Sequence, residues 1–241
     1  MGGDEQMRTR LVGIAILGVS LILSAVVFGI FFYQRRMPVK TIKVVGAATK
    51  RIDSDIVKWR VTIARNTGLD STKDGYARIK TDLEAFLEML RANGIDKKDI
   101  TVQPVNTNQI YKNGDVVGYT VMQSVYLVSN DIPKVEAMAL DPSFLAEKGI
   151  LLQSSNLEYY QSKLSAIKKE LLAEATKDAR GRAAEIAKSS GDTIKNITSA
   201  RVGVFQITEP YSTEVSDYGI YNTATKEKDI TVTVNVEFSL K

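Results

Sequence analysis

The chain has 241 residues, 32 Lys and Arg against 28 Asp and Glu, a net charge of +4, and no His or Cys. The two zeros exclude disulfides, thiolate nucleophiles, iron–sulfur clusters, cysteine-linked lipids, a Ser-His-Asp triad and the usual zinc or haem ligand sets. Charges so near balance supply no clustered basic footprint for nucleic acid, and direct redox chemistry would have only six methionines to use.

After a tail over 1–10, residues 11–33 carry no charged side chain. As a helix this run spans ~34 Å, enough for a hydrocarbon core of ~30 Å. A cleaved secretory signal is the rival reading, but its apolar region is usually only ~7–15 residues. This run is longer and ends on Gln34-Arg35-Arg36, which favours a retained single-pass anchor. A helix apolar on all sides is also a poor candidate for a soluble core. Arg8 and Arg10 precede the span, and Arg35, Arg36, Lys40 and Lys43 follow it, so the basic count alone leans weakly toward a cytoplasmic domain.

A basic linker over 34–41 with Pro38 leads to a first strand at 41–47. Val57, Trp59, Val61 and Ile63 alternate with Lys58, Arg60 and Thr62, which predicts a half-buried strand. Asp70 or Ser71 is placed to cap a helix whose stripe is Tyr76, Ile79, Leu83, Phe86, Leu87 and Leu90, with Asn93-Gly94 as its stop. Strands at 100–110 and 116–129 flank Asn113-Gly114, a strong hairpin signal, and Pro104 marks an edge or a bulge. A short helix over 131–147 and a strand at 150–158 follow.

The longest soluble helix is expected over 161–189, with Leu164, Ile167, Leu171, Ala175, Ala179, Ala183, Ile186 and Ala187 on one face. So much buried alanine implies close approach to a neighbour. Strands at 195–207 and 230–240 enclose a polar, tyrosine-bearing loop over 208–229. The final strand alternates cleanly, Ile230, Val232, Val234, Val236, Phe238 and Leu240 against Thr231, Thr233, Asn235, Glu237 and Ser239. The predicted class is α+β: one N-terminal transmembrane helix, then a mixed, mainly antiparallel sheet packed with two long helices and one short helix, the domain running over 42–241.

The order of landmarks over about 42–240 resembles the SIMPL-domain family of bacterial cell-envelope proteins. It starts with Val45-Gly46, Asp53-Ser54-Asp55 and the Val57/Trp59/Val61 strand. Gly94-Ile95, Asp99-Ile100-Thr101, Gly118-Tyr119, Asp131 and Val135 continue it. Its most specific stretch is Ala175, Asp178-Ala179-Arg180, Ala183, Ile186-Ala187 and Gly191, and the Val232-to-Leu240 strand closes it. Two turns depart: Gly46-Ala47-Ala48 lacks a common second glycine, and Lys226-Glu227-Lys228-Asp229 replaces a frequent Pro-Gly turn. The resemblance implies an exported or membrane-anchored protein, associated with oxidative-stress defence and prone to homo-oligomerise, with no catalytic set to carry over.

Three functions are open. The first is a non-catalytic, homo-oligomerising protein anchored through 11–33 in the cytoplasmic (inner) membrane, its C-terminal domain periplasmic, linked to stress response. The final strand lacks the proline or inward charge that guards an edge, so unless it sits centrally in its own sheet it needs a neighbour, and Val232, Val234 and Val236 are candidates for a contact between copies. The second is a partner- or ligand-binding module using Tyr211, Tyr218 and Tyr221, since tyrosine offers contact area at low entropy cost. The third is an envelope enzyme using carboxylates among Asp53, Asp55, Glu158 and Glu209, for which two carboxyls at ~5–10 Å would be required. The first is favoured: no enzyme, and no cofactor or metal expected.

Overall fold

A computed structural model describes residues 2–36 and 40–241. Helix α1, Gly2–Arg36, contains the apolar run and extends through the tail expected over 1–10. Within it, Ile16–Tyr33 is long and apolar enough to cross a membrane, and its described side chains are solvent-exposed. Of the linker expected over 34–41, Pro38 and its neighbours 37 and 39 lie outside the described residues, while Thr41 already begins a strand.

The remainder is α+β, as the sequence predicts, with its strands divided between two five-stranded sheets. In the first, β1 (Thr41–Asp53) pairs with β10 (Glu227–Leu240), and β10 pairs on with β8 (Gln206–Thr208), which meets β9 (Ile220–Tyr221) in parallel. Strand β7 (Ile194–Val202) also pairs with β10. In the second sheet, β2 (Ile56–Gly68) lies between β5 (Asp115–Ser129) and β6 (Leu151–Tyr160), antiparallel to both. The far edge of β5 carries β3 (Ile100–Val102) and β4 (Asn106–Lys112). The one strand expected over 100–110 is therefore two, interrupted at Gln103-Pro104-Val105, because proline cannot donate to the ladder. Asn113 and Gly114 take φ values of 54° and 94°, the left-handed pair that a two-residue hairpin demands.

Helix α2 (Thr72–Ala92) covers the second sheet, joined by α3 (Ile132–Leu140) and α4 (Ser143–Glu147). The single short helix expected over 131–147 is two, broken at Asp141-Pro142. Asp131 caps α3 by accepting from the Lys134 amide at 3.2 Å. The core here joins Val57, Trp59, Val61 and Ile63 of β2 to Ile79, Phe86 and Leu90 of α2. Trp59 meets Phe86 edge-on with ring centres 5.9 Å apart, and its indole N–H donates to Ser155 Oγ at 2.9 Å.

The stripe predicted for α2 is right except at its start. Tyr76 is exposed, and Gly75 and Asp82 take buried positions.

Helix α5 (Leu164–Ser189) buries Leu171, Ala175, Ala179, Ala183 and Ala187 but leaves Ile186 about half exposed. It packs on β1 at Gly46, where a Cβ would run into the Ala175 carbonyl and the Ala179 main chain. The Ala47 amide beside it donates to Asp178 Oδ2 at 2.9 Å. This is the close approach that the alanine spacing implies. The chain divides into two compact units, the larger comprising Val44–Arg182 and Ala200–Val236, the smaller comprising the N-terminal part through Lys43, Ala183–Ser199 and Glu237–Lys241.

Candidate functional site

On the face of the second sheet opposite α2, β2 and β6 place cations, a carboxylate and aromatic rings side by side. Residues two apart on a strand share a face, so Lys58 and Arg60 stand together, as do Glu158 and Tyr160. The β2–β6 register sets Lys58 opposite Glu158. Glu158 pairs with Arg60 at 3.1 Å and Lys58 at 3.6 Å, and it accepts from the Tyr160 hydroxyl at 2.8 Å. Lys58 Nζ and the Arg60 guanidinium also lie 5.0 and 5.1 Å from the ring centre of Tyr126 on β5.

The Tyr160 bond, helped by the two cations, holds Glu158 below the usual carboxylate range against the effect of burial. Burial and the bond to Glu158 push Tyr160 up to about 12. At neutral pH the carboxylate is ionised and the phenol keeps its proton. The Arg60 Nε is buried without a partner.

The tyrosines singled out in 208–229 are divided by the structure. Tyr221 lies against Tyr160, ring centres 6.2 Å apart, which joins the loop to the Glu158 cluster. Tyr211 takes a φ of 65°, unusual for a residue with a Cβ, and three contacts hold it there. Its amide donates to Asp229 Oδ2 at 3.3 Å, its hydroxyl accepts from Arg51 at 3.2 Å, and the Arg51 guanidinium sits 4.5 Å above its ring. Arg51 grips Asp229 with two bonds of 2.8 and 2.9 Å. Gln206 clips the loop from both sides: its side-chain N–H donates to the Ser216 carbonyl at 2.7 Å, and its side-chain oxygen accepts from the Ser216 amide at 3.4 Å. The clipped loop presents Tyr218 at 98% exposure and Val215 at 81%.

Val232, Val234 and Val236 are core side chains, exposed by no more than 2%. Strand β10 has β1 on one side and β8 and β7 on the other, so the unguarded-edge argument built on it does not hold. Strand β7 is an unguarded edge instead. Among the described residues it pairs with β10 alone, is exposed from Lys195 through Val202, and leaves Ile197 and Val202 in water.

Three of the four candidate carboxylates, Asp55, Glu158 and Glu209, are each bonded within the chain. Asp55 accepts from the Ser162 amide at 2.7 Å and its hydroxyl at 2.5 Å, bonds that outweigh burial and lower its pKa. Glu209 accepts from Asn222 at 2.7 Å, and the Asp53 carbonyl receives Gln161. Among the described residues no cluster of three or more acids could hold a metal ion.

Two features escape the sequence reading, though each carries a signal. Asp82, buried at 6%, takes two bonds from Arg65 of 2.5 and 2.8 Å. Its position, three after Ile79 and four before Phe86, puts it on the inner stripe of α2. Lys228 is in phase with Ile230 and Val232, and it is fully buried with its ammonium on the Thr225 carbonyl. A polar cleft of about 390 Å³ opens beside Arg65, between the end of β2 and the first turn of α2, lined by Thr67, Ser71, Asp74 and Arg78.

The family model described as SIMPL, Protein of unknown function (DUF541), matches residues 42–238, from the start of β1 almost to the end of β10. The chain belongs to the SIMPL family. No curated protein matches it. The matched span takes in both sheets and all helices after α1, so the Glu158 cluster, the clipped loop and β7 all lie within the SIMPL domain. An apolar N-terminal helix ahead of such a domain fits an envelope protein.

Proposed function

We propose that this SIMPL protein is held by α1 in the cytoplasmic membrane, carries its domain outside the cytoplasm, and acts there in stress defence by self-association without catalysis. The observation that carries the reading is β7, an edge strand of nine residues without proline, solvent-exposed from Lys195 to Val202. Such an edge presents a row of main-chain donors and acceptors that a second copy satisfies by strand addition. Anchoring confines all copies to one plane and raises their effective concentration. The non-catalytic part is supported by the engagement of Asp55, Glu158 and Glu209 in bonds within the chain. The extracytoplasmic side is supported by the family resemblance, against a weak lean of the flanking charges.

The test is the mass of the full-length protein in detergent, by light scattering at micromolar concentration. Multiples of the monomer are expected, and Ile197→Lys should reduce them while leaving Trp59 fluorescence unchanged. Monomer alone would refute self-association. A C-terminal reporter that works only in the cytoplasm is expected to be silent, and an active one would reverse the assigned side.

A second reading, recognition of another protein, is favoured by one observation: the near-complete exposure of Tyr218 on an ordered loop. A photo-crosslinking residue in place of Tyr218 separates the two, because adducts to a different protein support the second reading and adducts to the same chain the first.

A further inference from the structure

The end of the smaller unit that follows the anchor carries several lysines and one exposed isoleucine. Helix α1 ends at Arg36 and strand β1 starts at Thr41. Helical rise over 34–36 and at most ~3.6 Å per residue thereafter keep Lys40 within ~20 Å of Tyr33, the last residue of the span. The start of β1 therefore cannot leave the neighbourhood of the bilayer surface. Two main-chain bonds fix what else lies there. The Lys40 carbonyl accepts from the Leu240 amide at 2.9 Å, and the Lys241 amide donates to the Thr193 carbonyl at 2.9 Å. The end of β10, the turn after α5 and the start of β7 are thus tied to the start of β1.

This end carries Lys40, Lys43, Lys188, Lys195 and Lys241, all exposed, against Glu185, Asp192 and Glu237. Glu237 is already engaged, accepting from the Thr41 hydroxyl at 2.7 Å and facing Lys43 at 3.8 Å. Among the described residues Lys40, Lys188, Lys195 and Lys241 make no ion pair. Ile186 stands in the last turn of α5 at 51% exposure, off the buried alanine stripe, two residues before Lys188. An exposed apolar side chain on a lysine-rich end is the pattern that seats a protein surface in the headgroup layer of a bilayer.

We propose that this end of the domain docks on the membrane, its lysines on anionic phospholipid headgroups and Ile186 entering the interface. The inference rests on α1 remaining in the bilayer. Docking would hold the domain against the surface instead of letting it swing on its tether. The attraction decays over a Debye length of ~8 Å at physiological salt, so it acts only on groups held close by a short linker.

The chain has no cysteine, so Ser189→Cys supplies one labelling site on the full-length protein. The labelled protein is reconstituted into vesicles of phosphatidylcholine alone, or of phosphatidylcholine and phosphatidylglycerol at seven to three. Flotation after an alkaline wash reports the anchor, and quenching of the label by a headgroup-attached dye reports docking. Quenching is expected to be about threefold stronger with phosphatidylglycerol at low salt and to fall to the phosphatidylcholine value near 1 M salt. Lys188→Glu with Lys195→Glu should abolish the difference without changing Trp59 fluorescence. Equal quenching in both vesicles, with flotation intact, would overturn docking alone. Protein stripped by alkali would overturn the anchor and docking with it.

Discussion

Replacing Gly46 by alanine adds one methyl group and is expected to loosen the joint between β1 and α5. The new Cβ would collide with the Ala175 carbonyl oxygen and the Ala179 nitrogen and lie 2.7 Å from the Ala179 Cβ. Two of these three atoms are main chain, so no rotamer change relieves them. Carbon atoms at rest sit ~3.5–4.0 Å apart, so strand and helix must separate by roughly 1 Å. Overpacking of this kind costs about 1–3 kcal/mol. The separation also stretches the bond from the Ala47 amide to Asp178. A loss of about 1–3 kcal/mol is a substantial part of the ~5–15 kcal/mol that holds a typical domain.

Urea unfolding of the full-length protein in detergent measures it, read by the fluorescence of Trp59, the one tryptophan, which is 2% exposed. Gly181→Ala is the matched control. It lies in the same helix with nothing within 4 Å of its would-be Cβ, so it should gain about 1 kcal/mol. Adding Ala179→Gly to Gly46→Ala removes only one of the three collisions and should restore little. A Gly46→Ala protein within ~0.5 kcal/mol of wild type would refute the close strand–helix approach.

Other expectations follow from buried charge. Asp82→Ala strands the Arg65 guanidinium and should cost about 2–3 kcal/mol in the same urea assay. Burial holds the Lys228 ammonium near a pKa of about 8, below the usual 10.5. Below pH 8 it is charged in both folded and unfolded chains and its penalty is complete. As pH rises from 8 to 10.5 the folded amine is neutral first, so stability should climb by up to ~3 kcal/mol. Lys228→Met should be more stable at pH 7 and show no such climb, which unfolding midpoints at pH 7 and 10 would reveal. Glu136 is bonded by Lys226 at 2.9 Å and by Tyr159 at 2.8 Å, and its pKa lies below the usual 4.5. Its contribution is present above pH 4.5 and lost as pH falls through the lowered value. Glu136→Gln should therefore flatten the acid limb of the stability curve.

Local pattern predicts local structure well in this chain. The period-2 run Val57, Trp59, Val61, Ile63 is a strand with that face buried, and Asn113-Gly114 is the hairpin turn. Breaks were harder to place: Pro104 and Pro142 each divide an element that hydrophobicity alone joins. Strand order is not legible at all, because alternation shows which face of β10 is buried but not whether its edges are paired. That gap moved the exposed edge from Val232, Val234 and Val236 to β7, which reads as ordinary polar strand because both its faces are wet. Tyr211, Tyr218 and Tyr221 were recognisable as a loop cluster. The clip by Gln206 and the grip of the distant Arg51 set the path of the loop, which leaves Tyr211 and Tyr218 in water and lays Tyr221 on Tyr160.

The pairing of β1 with β10 joins the first strand after α1 to the last strand of the domain. By contrast, the second sheet is complete within residues 56–160, and its longest link, Ile56 to Tyr160, spans about half the separation that β1 and β10 must close. A chain emerging N-terminus first could therefore assemble the second sheet with α2 and α3 while β1 still waits for a partner nearly two hundred residues behind it. Such distant pairings form late and slowly. During that interval β1 is an unpaired strand, open to the β10 of a neighbouring copy if copies share a membrane as proposed. Exchange of β1 between chains is then the error to which this architecture is open, and the rate at which the C-terminal strand arrives sets the time available for it.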